Sequence, residues 1–95
     1  MLDGVDPAVL SAIRETASHV PGVLDVTDVR ARWVGHWLRV EVNIAVDAAI
    51  SVCEGHAIAK QTHQQLLENL PHLSGVTVHV DPLNESGEQH HPALP

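Results

Sequence analysis

The stretch Val76-Thr77-Val78-His79-Val80-Asp81-Pro82 alternates strictly between apolar and polar residues. Such alternation puts Val76, Val78 and Val80 on one side of a half-buried strand and Thr77, His79 and Asp81 on the other, with Pro82 expected to stop the strand. An imidazole and a carboxylate two residues apart on a stiff element are good ligands for a first-row divalent metal. Two further groups suit the same chemistry. Glu41 falls on the polar side of another alternating run, and His56 opens a helix at Glu54-Gly55-His56. His79, Asp81, His56 and Glu41 are therefore the candidate metal ligands. Histidine with carboxylate suits Zn²⁺, Mn²⁺, Fe²⁺, Co²⁺ or Ni²⁺ without choosing among them.

These groups must be positioned by the elements around them. Asp6 is a good N-cap and Pro7 fits a first helical position, followed by Val9, Leu10, Ile13, Ala17 and Val20 at helical spacing. Pro21-Gly22 ends that helix, which spans about residues 7–20. A β-hairpin follows. Leu24 and Val26 share one parity, and Val29, Ala31 and Trp33 share the other, so a bulge is expected near Thr27-Asp28. Leu38, Val40, Val42, Ile44 and Val46 alternate cleanly in the second strand. Gly35-His36 suits a two-residue type II′ turn. That turn pairs Trp33 with Leu38, Ala31 with Val40 and Val29 with Val42, all towards the core. On the other face it sets Arg30 against Glu41, a favourable pair, and Arg32 against Arg39, an unfavourable one.

Ser51-Val52-Cys53-Glu54 matches a capping box and opens a second helix. At ~100° per residue, Val52, Ala59, His63, Leu66 and Leu70 share its inward face, with His56 and Leu67 beside it. Pro71 and Gly75 close the helix before the His79 strand. The order helix, strand, strand, helix, strand is an α+β arrangement with two helices on one face of a three-stranded sheet. A crossover through the second helix lays the last strand parallel to the second. Residues 1–82 form one domain, and 83–95 read as a flexible tail.

Composition narrows the function. The chain has 95 residues, 12 acidic against 5 basic, and a net charge of −7. That argues against nucleic acid, whose affinity rests on neutralising phosphates; it suits a cation partner. Eight histidines supply imidazoles that titrate near neutrality. A single cysteine, Cys53, excludes an internal disulfide and a Cys-pair zinc site. With no Phe or Tyr, the core must be aliphatic, with Trp33 as a core anchor and Trp37 a candidate for subunit contact. A domain this small is marginal alone and gains from pairing with a second copy. No apolar run spans a bilayer and no signal peptide is visible, so the chain as it stands reads as soluble and cytoplasmic.

Other groups have plainer readings. His63 suits the edge of the core, His36 a turn, and His90-His91 the tail. Cys53 has no base or oxyanion site that would make it a nucleophile.

The run Val20-Pro21-Gly22-Val23, the segment Val29-Arg30-Ala31-Arg32 ahead of Gly35, the strand ending Val46-Asp47, the opening Glu54-Gly55-His56 and the closing Val78-His79-Val80-Asp81-Pro82 resemble, in order and spacing, the cytoplasmic C-terminal domain of cation diffusion facilitator transporters. The opening Leu2-Asp3-Gly4-Val5-Asp6-Pro7 resembles the junction after that family's last membrane helix. The resemblance implies a metallochaperone-like (ferredoxin-like) αββαβ fold and a homodimer. It also implies a non-enzymatic regulatory role in which Zn²⁺ or a similar cation binds at the dimer and favours a closed state. It places the chain on the cytoplasmic side of the membrane, joined to a membrane domain that this sequence lacks. His56, His79 and Asp81 match recurrent family ligands, and Glu41 a strand-two carboxylate of some members. Thr27 and Asn43 stand where zinc-binding members carry histidines, and Arg39 where some place a tryptophan, which implies a smaller site than a full binuclear one. Two rival classes stay open at this point. One is a small hydrolase on the same scaffold, which would need a phosphate loop that is not visible. The other is a small-metabolite regulatory domain or soluble metal carrier.

Overall fold

The hairpin turn at Gly35-His36 organises the sheet. Gly35 has φ +63°, while His36 keeps a negative φ, the combination of a type II′ turn. It joins β1 (Asp25–Val34) to β2 (Trp37–Asp47), and the pairing is antiparallel with Trp33 opposite Leu38, Ala31 opposite Val40 and Val29 opposite Val42. The register shifts between Val26 and Asp28, so Thr27 is the extra residue of a bulge. The computed structural model describes residues 4–83; the expected tail and its His90-His91 pair lie outside the described residues, apart from Leu83.

Two helices complete the fold. In α1 (Pro7–Ser18), Asp6 caps the first turn by accepting from the Ala8 N–H at 2.9 Å. In α2 (Val52–Asn69), Ser51 and Glu54 exchange both bonds of a capping box at 3.0 Å. β3 (Leu73–Leu83) then pairs parallel to β2, giving the sheet order β1-β2-β3. His72 takes a positive φ of 67°, and its carbonyl accepts from the Leu38 N–H at 2.7 Å, fastening the start of β3. Ile13 and Ala17 of α1, Leu66 of α2 and alternate residues of β2 from Leu38 to Val46 form one buried cluster. Both helices therefore cover the same face of the sheet, and the α+β, ferredoxin-like αββαβ architecture expected from the sequence is the one observed.

Three local expectations are corrected. The buried stripe of α2 runs through Gly55, Ile58, Thr62 and Leu66, while Val52, His56, His63 and Leu67 are exposed. Thr62 is fully buried because its hydroxyl donates to the Ile58 carbonyl at 2.8 Å, leaving no unmatched polar atom. Ile58 in turn packs on Gly22, where a Cβ would stand 2.6 Å from the Ile58 Cδ1. Second, β3 continues through Pro82 to Leu83. β3 is an edge strand, where a proline is tolerated because one side of the strand makes no ladder bonds. Third, Trp33 is 43% exposed rather than a core anchor: the hairpin tip projects beyond the main buried cluster.

Candidate metal centre

The uncovered face of the sheet carries Asp28, Arg30 and Arg32 from β1, Arg39, Glu41 and Asn43 from β2, and Thr77, His79 and Asp81 from β3. Register sets Glu41 between Arg30 and Thr77, and His79 beside Asn43, so Glu41 and His79 are diagonal neighbours on adjacent strands. Their side chains converge, with His79 Nε2 3.7 Å from Glu41 Oε2, each half exposed. At that distance they form an ion pair when the imidazole is protonated, but no hydrogen bond.

The same separation suits a shared cation. Two ligands each ~2.1 Å from a tetrahedral ion stand about 3.4 Å apart, so a movement of a few tenths of an ångström brings both into a coordination shell. A half-exposed pair gains little from its own attraction. Its contribution to stability is small, and it remains available to a ligand.

Arg30 stands opposite Glu41, as the register requires, but does not pair with it. Its Nε donates to Asp28 Oδ2 at 3.0 Å. Asp28 stands two residues before Arg30 on the same face, and this local carboxylate takes the guanidinium. The expected Arg30–Glu41 pair is thus replaced by two pairs, Arg30 with Asp28 and Glu41 with His79. Sequence reasoning passed over Asp28; two opposite charges at i and i+2 on one strand face were the available signal.

Asp81 is two residues beyond His79 on the same face, opposite Ala45. His56 lies on the other side of the sheet, in a shallow groove between α2 and β3 with Val46, Gly55, Ala59, Val78 and Val80. Of the four candidates, the structure brings together Glu41 and His79. Among the described residues no group of three or more His, Cys, Asp or Glu side chains gathers in a metal-binding cluster. Among the described residues, Glu41 and His79 are the two candidate ligands that stand together. Thr27 and Asn43 interact with each other, the Thr27 hydroxyl donating to the Asn43 carbonyl at 3.4 Å. Arg39 lies over Gly75, whose absent Cβ would stand 3.5 Å from the guanidinium carbon.

An αββαβ layer pair with a bare, charged sheet face and an acid–imidazole pair on it is a small α+β domain of metallochaperone-like form. Residues 5–83 match the family described as cation efflux protein, cytoplasmic domain, and the chain belongs to that family. It is 37% identical over 82 residues to the probable cation efflux system protein Rv2025c of Mycobacterium tuberculosis, covering 86% of this chain and 25% of the relative. It is 30% identical over 85 residues to the manganese efflux system protein MneS of Bacillus subtilis, covering 90% of this chain and 29% of the relative. The chain thus spans about a quarter of the length of these relatives. Among solved structures, the M250L variant of the MamM CTD superposes with a TM-score of 0.77 at 29% identity, over 79% of this chain and 94% of that one. A nickel form of a MamM CTD variant gives 0.79 at 28% identity, over 81% and 98%. Among the described residues no helix is long and apolar enough to cross a membrane.

Proposed function

We propose that this chain is the regulatory and dimerisation module of a divalent-metal efflux transporter, non-enzymatic, with Zn²⁺ or a similar cation binding where two copies meet. The observation that carries this reading is the Glu41–His79 pair, held at ligand-like separation on the open face with no third His, Cys, Asp or Glu gathered beside it among the described residues. Asp81, two residues beyond His79, is a further carboxylate on that face, and His56, on the opposite side of the sheet, is a separate exposed imidazole available at the β3 edge. Nickel, manganese and cadmium forms of the structurally similar MamM CTD support a divalent cation, and MneS, named for manganese efflux, widens the candidates beyond zinc.

The mechanism is differential affinity. A cation that finds more ligands in a closed pairing than in an open one shifts the pair towards closure by the difference in binding free energy. The net charge of −7 opposes closure of the empty pair, and bound metal offsets part of that repulsion.

Calorimetric titration of chelator-stripped protein with Zn²⁺ and with Mn²⁺, beside Glu41→Gln, His79→Ala and Asp81→Ala, tests this reading. Saturable binding lost in Glu41→Gln and His79→Ala is the expected result, with light scattering reporting a dimer. Equal binding by all four proteins would move the site to His56 or to the sequence after Leu83. No binding by any of them would leave a dimerisation domain without a sensor.

A further inference from the structure

The hairpin end of the domain differs from the rest of its surface. Trp33, Val34 and Trp37 are 43%, 48% and 53% exposed, clustered around the Gly35-His36 turn. Register puts Val34 and Trp37 on the open face and Trp33 on the helix side, so the tip is apolar on both faces. Behind it stand Arg32, Arg39 and Arg30, three of the chain's five basic residues, with no acidic residue between Val29 and Val40. Arg30, Arg32 and Arg39 line one shallow depression of about 340 Å³ with Glu41, Gly75 and Thr77. Gly75 gives the Arg39 guanidinium room to lie flat across β3.

Arg32 and Arg39 face each other directly, an arrangement that costs stability in isolation. Among the described residues neither makes a salt bridge; Arg30 is held by Asp28. Two carboxylates on this face stand beside them and are engaged: Asp28 holds Arg30, and Glu41, which lines the same depression, faces His79 at 3.7 Å. A chain of net charge −7 therefore presents, on one side of one end, tryptophan and valine beside two arginines, Arg32 and Arg39, that make no salt bridge among the described residues.

We propose that this tip docks on an anionic lipid bilayer surface, with Trp37 and Val34 entering the headgroup region and Arg32 and Arg39 on the lipid phosphates. Tryptophan prefers the membrane–water boundary, where its ring is buried and its N–H stays wet. Arginine near an anionic leaflet is attracted within a Debye length of the surface, and the remaining acidic surface would be repelled if it faced the same way. Charge distribution alone thus fixes the orientation: hairpin tip towards lipid, β2–α2 connection away. The chain enters the domain on the same half. Arg14 Nη1 donates to the Val26 carbonyl near the start of β1, and a helix rising ~1.5 Å per residue puts the beginning of α1 towards the hairpin. This inference concerns a surface distinct from the Glu41–His79 pair and needs no metal.

The two tryptophans are the chain's only Trp residues and Tyr is absent, so intrinsic fluorescence reports on the tip alone. The test is titration of the chain, in chelator, with vesicles of phosphatidylglycerol mixed into phosphatidylcholine and with vesicles of phosphatidylcholine alone. The expected result is a blue shift, quenching by brominated acyl chains and co-sedimentation, with the anionic vesicles only. Arg32→Gln and Arg39→Gln should each weaken binding about fivefold, and Trp37→Ala with Val34→Ser should abolish co-sedimentation. Circular dichroism of each variant confirms that the exposed substitutions leave the fold intact. Three outcomes overturn the proposal. One is an absent or equal response to both vesicle types. Another is a blue shift that grows with protein concentration without lipid, which assigns the tip to a second copy. The third is burial of both tryptophans in full-length transporter in neutral detergent while this chain ignores vesicles, which assigns it to protein.

Discussion

The two faces of the sheet are made from the same three strands yet follow opposite rules. On the helix-covered face, Val42 and Ile44 are wholly buried, and Thr62, the one buried polar side chain among the described residues, is satisfied within its own helix. On the open face, charges stand in rows, some paired across strands and some opposed. The covered face is where folding free energy resides, because apolar burial contributes several kcal/mol per site while half-exposed ion pairs contribute roughly 0–1 kcal/mol. The open face is thereby free to vary its chemistry at little cost to the fold.

The strongest way to test this division is Ile44→Ala. It should lower unfolding free energy by about 2–5 kcal/mol in denaturant titration, while protein that remains folded keeps its metal stoichiometry. Gly22→Ala comes next, since its φ of +97° and its contact with Ile58 both resist a Cβ; the expected loss is about 1–3 kcal/mol. Glu41→Gln and His79→Ala reverse the pattern. Each should change stability by less than ~0.5 kcal/mol and abolish saturable metal binding. Because a ligating imidazole must be neutral, affinity in the unsubstituted chain should also fall as the medium is acidified, read by titration at successive pH values.

Asp28→Asn sharpens the comparison within the open face. It releases Arg30 towards its register partner Glu41 and should weaken metal binding on the order of fivefold, the ~1 kcal/mol upper range of an exposed ion pair. The smallest effect is expected from Arg32→Glu. Replacing the like-charge pair with Arg39 should raise stability by about 0.2–1 kcal/mol in thermal or chemical unfolding.

The covered face was readable from the sequence where side-chain alternation carries the information. Residues Leu38 to Val46 leave no ambiguity of face, and the parity break after Val26 locates the bulge, because a pleated strand has a period of two. The capping box at Ser51 was legible because its bonds are local. The inward face of α2 was not. That helix has few large apolar residues, and its inward stripe includes Ile58, which packs on Gly22, and Thr62, whose hydroxyl bonds the Ile58 carbonyl. Apolar periodicity cannot register either contact. On the open face, the alternation placed Glu41, His79 and Asp81 on one surface and His56 elsewhere. It did not show that Asp28 would divert Arg30, because competition between a same-strand and a cross-strand carboxylate for one guanidinium depends on side-chain distances that alternation does not carry.

The parallel joining of β3 to β2 also orders events in time. The β1–β2 hairpin depends on near neighbours and can form in ~1–10 µs. β3 pairs only after α2 has carried the chain back across the sheet, a non-local closure that comes later. Glu41 belongs to the early unit and His79 to the late one, so their pairing marks completion of the fold. A cation held by both should then leave the folding rate nearly unchanged and slow unfolding, acting as a latch on the finished domain and not as a template for its assembly.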